Sequence, residues 1–135
     1  MLLVVDANIL FSALIASQGM TRTLFSSIKL EFISPEFIEE EIDKHFSEIV
    51  LKSTCSEKDV RIALNLLLTR IKIMPSIEYE SFREAARKIS PDPKDAEYLA
   101  VALAFDCPLW SNDKLLKSQT EVKVLSTSEL IQFLS

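Results

Sequence analysis

Short apolar runs recur along the chain, and each is followed by a longer segment with helical periodicity. The first run covers residues 2–5 and ends at Asp6, which is typical of a strand buried on both faces of a parallel sheet. Four further runs predict strands in the same way, at residues 30–34, 71–74, 108–111 and 122–125. We therefore expect a sheet of about five strands.

Helices are predicted in the intervening segments. They cover residues 9–15, 21–28, 35–50, 56–70, 79–89 and 94–105, and a last helix follows Ser126. The third of these is expected to begin at Pro35, with Ser34 as its N-cap. The sixth is rich in alanine and leucine and apolar almost all round, so it should be buried. Strands that alternate with helices imply right-handed crossovers and a parallel sheet covered on both faces, which is an α/β fold.

The composition narrows the class of protein. A length of 135 residues suits one domain, residues 1–135. The single glycine, Gly19, excludes a Walker A loop, a G-x-G-x-x-G turn and a G-x-S-x-G elbow, because each of them needs several glycines. The single histidine, His45, excludes an H-E-x-x-H zinc site and is expected to be a packed core residue.

Cysteine usage and hydropathy predict a cytoplasmic protein. Cys55 and Cys107 lie far apart without a C-x-x-C pair, so they are expected to be structural thiols in a reducing compartment. No apolar run reaches about 18 residues, so no membrane span is expected, and the first six residues do not resemble a signal peptide. The net charge of −5 argues against a nucleic-acid partner, because phosphate binding is usually driven by a basic surface.

Acidic and polar residues follow the first and fourth predicted strands. Asp6 and Asn8 come after the first strand, and Ser111 and Asp113 come after the fourth. Ligands of open parallel sheets bind beyond the carboxyl ends of the strands, so these side chains are candidates for one site. The alternative is a structural role for each, since Asp and Asn at strand ends commonly form Asx turns or cap the next helix.

The third predicted helix carries a carboxylate on its apolar face. Glu41 lies four residues after Phe37 and three after Ile38, within the stripe that should face the core. An inward carboxylate is costly unless it is paired or binds a metal. The alternatives are a glutamate that extends to solvent and a different helix phase in which Glu40 takes this position.

Asp95 stands at the start of the predicted buried helix. The neighbouring Asp92 is the expected N-cap, with Pro93 in the first helical position. A purely structural role is also available to Asp95, because a carboxylate in the first turn interacts favourably with the helix dipole. Asp95 is also aligned with Leu99 and Ala102, one and two turns further on. Its side chain therefore begins an otherwise apolar face, which makes it a better candidate for chemistry than Asp92.

Four carboxylates near one edge of the sheet suit a hard cation. They are Asp6, Glu41, Asp95 and Asp113. Mg²⁺ takes oxygen ligands and is often held by a few carboxylates plus substrate phosphates. Two such ions can clamp the attacking and leaving oxygens of a phosphodiester. Their four positive charges would also change the net charge from −5 to −1, which answers the objection to a nucleic-acid substrate.

The candidate residues lie in four segments, which in chain order are VVDANIL at 4–10, SPEFIEEEI at 34–42, DPKDAEYLAVA at 92–102 and LWSNDKLL at 109–116. These segments resemble motifs of the PIN domain family, named after the N-terminal domain of PilT, and of its VapC-like toxin ribonucleases. Their order and spacing extend the resemblance over nearly the whole chain. One departure is Ala7, because a hydroxyl residue is common at that position in the family.

The resemblance implies a three-layer α/β/α sandwich and an endoribonuclease that uses Mg²⁺ or Mn²⁺ to hydrolyse single-stranded RNA. The family's metal-binding acids fall on Asp6, Glu41, Asp95 and Asp113, with Glu40 as the substitute second acid, and its polar helpers fall on Asn8 and Ser111. The nearby candidate contacts to the RNA backbone are Lys94, Lys114 and Lys117. Family members are often homodimers, and many are toxins paired with an antitoxin. The expected partners are therefore RNA, an antitoxin protein and further copies of this chain.

Two other functions compete with this one. A response-regulator receiver domain also has five strands and binds Mg²⁺ through acids at strand ends. It needs a phosphoacceptor aspartate after the third strand, however, where this chain has Pro75-Ser76-Ile77. A degenerate, non-enzymatic PIN-like module would bind RNA or a partner without cleavage, and the presence of all four acids argues against it.

Overall fold

Five parallel strands form the centre of the molecule. The computed structural model describes residues 1–16 and 19–135. The strands are β1 (Leu2–Val5), β2 (Glu31–Pro35), β3 (Ile71–Met74), β4 (Leu109–Trp110) and β5 (Val124–Leu125), in the spatial order β3-β2-β1-β4-β5. Every neighbouring pair is parallel, so the predicted sheet is confirmed.

Helices connect the strands and flank the sheet. The α-helices are α1 (Ala7–Ile15), α2 (Met20–Phe25), α3 (Phe37–Ser53), α4 (Glu57–Leu68), α5 (Arg83–Ile89), α6 (Ala96–Phe105) and α7 (Thr127–Leu134). Short 3-10 helices lie at Ser76–Glu78, Glu80–Phe82, Pro93–Asp95 and Lys114–Ser118. This is the predicted three-layer α/β/α arrangement. Two predicted helices, at 79–89 and 94–105, begin instead as 3-10 turns, and the one at 21–28 ends early, at Phe25.

The strand β1 and the helix α6 lie at the centre of the core. The last three residues of β1, Leu3 to Val5, have no exposed surface, and β1 pairs with β2 on one side and β4 on the other. Along α6, each residue is buried or half-buried, as its apolar composition predicts. Trp110 of β4 is fully enclosed and its ring centroid lies 5.1 Å from that of Phe25.

The start of the third helix differs from the prediction. Pro35 is the last residue of β2, where it is paired with Met74 of β3, and α3 begins at Phe37. Ser34 is buried in the same strand, and its hydroxyl donates to the carbonyl oxygen of Val5 at 3.0 Å instead of capping a helix. Proline is tolerated at a strand end, and the next residue, Glu36, donates its N–H to the carbonyl oxygen of Met74 at 3.1 Å, so the pairing with β3 continues past it.

The two cysteines have different surroundings. Cys107 is half-buried, and burial raises the pKa of its thiol to about 11. Cys55 is exposed, so the expectation of a structural thiol is wrong there. The reason is local, since Cys55 lies in the turn that follows α3 after Thr54, whose φ of 60° reverses the chain. Within residues 1–16 and 19–135, no helix is long and apolar enough to cross a membrane.

Candidate active site

The order of the strands creates a crevice beyond the carboxyl ends of β1 and β4. From β1 the chain adds β2 and β3 on one side of the sheet, and it then returns to add β4 and β5 on the other side of β1. Such a reversal of strand order is where ligands of open α/β sheets bind. Asp6 and Ser111 are the residues that directly follow the two strands, so the topology places them on either side of the crevice.

Asp6 is held by hydrogen bonds on both carboxylate oxygens. The Ser111 hydroxyl donates to Oδ2 at 2.7 Å, and the backbone N–H of Asn8 approaches Oδ1 at 3.4 Å as α1 begins. Asp6 is 4% exposed and Ser111 is 1% exposed. The same Ser111 oxygen accepts the backbone N–H of Asp113 at 3.1 Å. Ser111 therefore connects the acids that follow β1 and β4.

Glu41 reaches the crevice from the helix α3. It is half-buried, whereas Glu40 is exposed, so the helix phase directs Glu41 inward. The hydroxyl of Tyr98 donates to Glu41 Oε1. Burial, and then the bond to Glu41, raise the pKa of Tyr98, which keeps the phenol protonated as a donor. Tyr98 is 2% exposed and lies three residues after Asp95, so it connects α3 to the helix that carries the third acid.

Tyr98 is a site residue that the sequence patterns did not indicate. The available signal was a hydroxyl-bearing residue in a helix that is otherwise apolar, because a buried tyrosine hydroxyl usually needs a partner. Its partner could not be inferred, since Glu41 is 57 residues away in the chain.

Asp92 and Asp95 have the separate roles that the sequence suggests. Asp92 Oδ1 accepts the N–H of Lys94 at 3.0 Å and so caps the 3-10 turn. Asp95 is the last residue of that turn and precedes α6, yet its side chain makes no capping bond. The carboxylate of Asp95 is half-buried and therefore available for another interaction.

Asp113 caps a helix and also lies near enough to Asp6 and Asp95 to raise the pKa of both. Its Oδ1 accepts the N–H of Leu115 at 3.0 Å, as expected for an aspartate that caps the following 3-10 helix. The residue is exposed. Both interpretations of Asp113, the cap and the candidate ligand, are compatible with its position.

The four acids influence one another electrostatically. Burial is the first cause that raises the pKa of Asp95 to about 7, and the charges of Asp6, Asp113, Asp92 and Glu41 add to it. Burial also raises the pKa of Asp6, against the lowering effect of its hydrogen bonds, and Glu41 and Asp113 raise it further. Within residues 1–16 and 19–135, none of the four makes an ion pair with a lysine or arginine. In the described part of the chain, therefore, no direct ion pair neutralises the charge of the cluster.

The side chains do not converge into a closed ligand cage. Among the described residues, no group of three His, Cys, Asp or Glu side chains is close enough to hold one metal ion directly. Charges influence one another over longer distances than a coordination bond, in which the metal and each oxygen ligand are about 2.0–2.6 Å apart. The acids can therefore raise one another's pKa without three of them being close enough to hold one ion. An oxygen donor set of this kind fits Mg²⁺ or Mn²⁺, because Mg²⁺ retains several waters and is commonly held by only one or two carboxylates plus substrate phosphates.

The candidate lysines lie in different surroundings. Lys94 and Glu41 line the same cavity, of about 230 Å³, together with Lys44 and His45. Lys114 is exposed at the start of the 3-10 helix after β4. Lys117 is paired with Glu129, which lies in the first turn of α7. Lys94 is therefore placed next to an acid of the cluster, while the ammonium group of Lys117 is already paired.

Comparisons with known proteins agree with this architecture. A family model described as PIN domain matches residues 4–134, and no curated protein matches the sequence. The fold is similar to a chain of VapBC2 from Rickettsia felis bound to a DNA fragment from their promoter, with a TM-score of 0.69, 13% identity, and coverage of 93% of this chain and 98% of that chain. It is also similar to PAE2754 from Pyrobaculum aerophilum, with a TM-score of 0.68, 17% identity, and coverage of 97% and 87%.

A third similar structure is VapBC-1 from nontypeable Haemophilus influenzae. Its TM-score is 0.64 at 13% identity, and the match covers 95% of this chain and 99% of that chain. At these identities the likeness is one of fold.

Proposed function

The chain belongs to the PIN domain family, and from this premise we propose that it is a metal-dependent endoribonuclease that hydrolyses phosphodiester bonds of single-stranded RNA. The observation that carries the proposal is the cluster of Asp6, Glu41, Asp95 and Asp113, in which burial first, and then the charges of neighbouring acids, raise the pKa of Asp95 to about 7. Concentrated negative charge of this kind is destabilising unless a cation neutralises it. The cluster also lies in the crevice where the fold favours ligand binding.

Each side chain has a distinct part in this proposal. The four acids would hold Mg²⁺ or Mn²⁺, with Glu41 rather than Glu40 as the second acid because Glu41 is the inward residue of the two. When bound, such ions stabilise the charge that develops on the phosphate and lower the pKa of water. Ser111 keeps Asp6 in place through its hydrogen bond of 2.7 Å.

Other residues would bind the RNA next to the acids. Asn8 is exposed at the first turn of α1, where its side-chain amide would be a neutral polar group between Asp6 and the bound strand. Lys94 lies beside Glu41 and would hold a backbone phosphate as a point charge. Lys114 would act in the same way after β4. No histidine, cysteine or serine nucleophile is required by this chemistry.

We also propose that the protein acts as the toxin of a toxin–antitoxin pair. Two of the similar structures are VapBC complexes, which supports an antitoxin protein as a partner. The family resemblance further favours a homodimer or higher homo-oligomer, and the cysteine usage favours the cytoplasm. Co-expression with the product of an adjacent short gene, followed by co-purification, tests the antitoxin, and light scattering tests the oligomeric state.

The order of the strands argues against a receiver-type signalling domain. Receivers have the order 2-1-3-4-5, whereas this sheet has β1 between β2 and β4. The non-enzymatic PIN-like module is the second candidate, and the open spacing of the acids favours it. Calorimetry with Mn²⁺ separates it from the nuclease, since a module without a metal site should not bind Mn²⁺ at millimolar concentration.

An RNA cleavage assay tests the proposed activity. End-labelled single-stranded RNA should be cut by the purified protein with Mg²⁺ or Mn²⁺ and remain intact in EDTA. The matched Asp95→Asn variant should lose cleavage, because it keeps the shape of the side chain and removes its charge. Cleavage that persists in both Asp6→Asn and Asp95→Asn proteins would overturn the assignment and identify a contaminating nuclease.

A further inference from the structure

A groove between α1 and α3 begins next to the acid cluster. Its volume is about 340 Å³, and its walls include Asn8, Phe11 and Ser12 from α1 and His45 and Lys52 from α3. Asn8 is two residues after Asp6 and contacts it through its backbone N–H. His45 is one helical turn after Glu41. Each wall of the groove therefore begins within about one helical turn of an acid of the cluster.

The length of the groove suits a short stretch of single strand. His45 and Lys52 are seven residues apart in α3, which corresponds to about 10 Å of helix. Successive stacked nucleotides are about 3.4 Å apart along a strand. The wall formed by α3 therefore spans roughly three stacked nucleotides, beginning one helical turn from Glu41.

Two aromatic rings meet across the groove. The ring centroids of Phe11 and His45 are 5.5 Å apart with an interplanar angle of 57°. Both residues are only half-buried, and the His45 side chain is 37% exposed. The expectation that His45 is a packed core residue is therefore wrong, because it lies at the edge of the α1–α3 contact. Partly exposed aromatic rings of this kind provide faces on which bases stack.

The charge of the groove distinguishes it from the acid cluster. Lys52 is paired with Glu48 at 2.7 Å, and Nδ1 of His45 lies 3.5 Å from the same carboxylate. The walls thus carry balanced charge with neutral polar groups at Asn8 and Ser12. Such a lining suits an uncharged base with hydrogen-bonding edges rather than a phosphate.

We propose that the α1–α3 groove is a nucleobase-binding subsite for the RNA strand next to the cleaved phosphate. Phe11 and His45 stack with a base, and the side chains of Asn8 and Ser12 offer hydrogen bonds to base edges. The inference rests on the proposed nuclease function and adds to it a surface that determines which bases are accepted near the cut.

The first test removes the aromatic faces. The double variant Phe11→Leu/His45→Gln should bind single-stranded RNA containing 2-aminopurine roughly 5- to 100-fold more weakly than the wild type, the range expected for the loss of base stacking. The quenching of 2-aminopurine fluorescence should be lost as well. Phe133→Leu is the matched control, since Phe133 is 60% exposed on α7 and lies outside the groove. Affinity for Mn²⁺, measured by calorimetry, should stay unchanged in all three proteins.

A second variant guards against misfolding. Ser12 is exposed, so Ser12→Leu fills the groove without disturbing the core and should weaken RNA binding and change the preferred cleavage positions. Ser47→Leu makes the same substitution at an exposed position of α3 outside the groove, and it should behave as the wild type.

The outcomes separate the two proposals. If the wild type cleaves RNA with Mn²⁺ and both groove variants match it in binding, quenching and cut positions, the groove inference is wrong and the nuclease function stands. If the groove variants instead lose only the binding of a co-purified protein, the groove binds a protein segment and not RNA. If the wild type binds neither Mn²⁺ nor RNA, the proposed function fails and the subsite fails with it.

Discussion

Asp6 and Glu41 face the same crevice but are held there by different means. Asp6 directly follows β1, is 4% exposed, and has both carboxylate oxygens in contact with groups beside it, the Ser111 hydroxyl and the Asn8 N–H. Glu41 is a longer side chain on α3 with one hydrogen bond, from Tyr98. A side-chain hydroxyl and a backbone N–H thus hold Asp6 at the strand end, whereas the phenol of Tyr98 holds Glu41.

This difference has a physical consequence. A short side chain at the end of a buried strand has few conformations, so its position is determined when the sheet forms. A glutamate on a helix retains several rotatable bonds, and restricting them costs conformational entropy. We therefore expect changes at Asp6 to affect chemistry directly and changes around Glu41 to act through the position of its carboxylate.

The largest effect is expected for Asp6→Asn. The rate of single-stranded RNA cleavage should fall at least about 100-fold. Removing a group that hydrogen-bonds a metal ligand typically lowers activity about 10- to 100-fold, and removing a ligand itself should lower it further. Asparagine can still accept the bond from Ser111, and the buried charge is gone. The melting temperature without metal, measured by circular dichroism at pH 8, should therefore stay equal or rise. A lower melting temperature together with retained cleavage would contradict the role given to Asp6.

Glu41→Gln should lower cleavage by less than Asp6→Asn, by about 10- to 100-fold, because the longer Glu41 side chain is less restricted than Asp6 and is expected to contribute less to holding the metal. Glu40→Gln is the matched control on the adjacent, exposed position, and its rate should remain within about twofold of the wild type. Single-turnover rates with Mn²⁺ measure both. If Glu40→Gln gave the larger loss, the second acid would be Glu40.

A smaller effect is expected for Tyr98→Phe, which removes the bond to Glu41 and keeps the ring. Affinity for Mn²⁺, measured by calorimetry, should fall by about tenfold, as for other groups that orient a ligand. Tyr79→Phe is a suitable control because the Tyr79 hydroxyl is also buried but has no partner within the described residues. That variant should bind Mn²⁺ normally and be at least as stable as the wild type. Equal Mn²⁺ affinity in both variants would mean that Tyr98 does not position Glu41.

The smallest expected effect is the pH dependence of stability that Asp95 contributes. The pKa of Asp95 is raised to about 7, first by burial and then by its acidic neighbours, so the folded protein binds this proton more tightly than the unfolded chain does. In EDTA, the contribution of Asp95 to stability should therefore fall as the pH rises from about 4 to about 7. The difference in melting temperature between wild type and Asp95→Asn across this range isolates that contribution. A difference that is constant with pH would show that Asp95 titrates normally.

Sequence patterns predicted the parts of the site that depend on strand ends. A buried apolar run that stops at an acid placed Asp6 at the edge of the sheet, and the same reasoning placed Ser111 and Asp113 after β4. Helical periodicity favoured Glu41, and the structure directs it inward. The roles of these residues in metal binding and cleavage remain predictions.

Tertiary contacts account for what the sequence could not predict. Local preference suggested that Ser34 and Pro35 begin a helix, but hydrogen bonding to Val5 and pairing with Met74 extend the strand through them. The partner of Tyr98 depends on how α3 and α6 pack. The partial exposure of His45 likewise follows from where α1 meets α3, which periodicity within one helix does not specify.

The enclosure of α6 also has a consequence for the dynamics of the molecule. No residue from Ala96 to Phe105 is exposed, so its amide hydrogens can exchange with deuterium only when the surrounding layers open. Exchange in α6 should therefore be among the slowest in the chain and should report global unfolding, whereas α3, with its solvent-facing side, should also open locally. Asp95 and Tyr98 are thus attached to an element that should not fluctuate independently, and adjustment of the site to a substrate should come from the helix that carries Glu41 and from the exposed segment that carries Asp113.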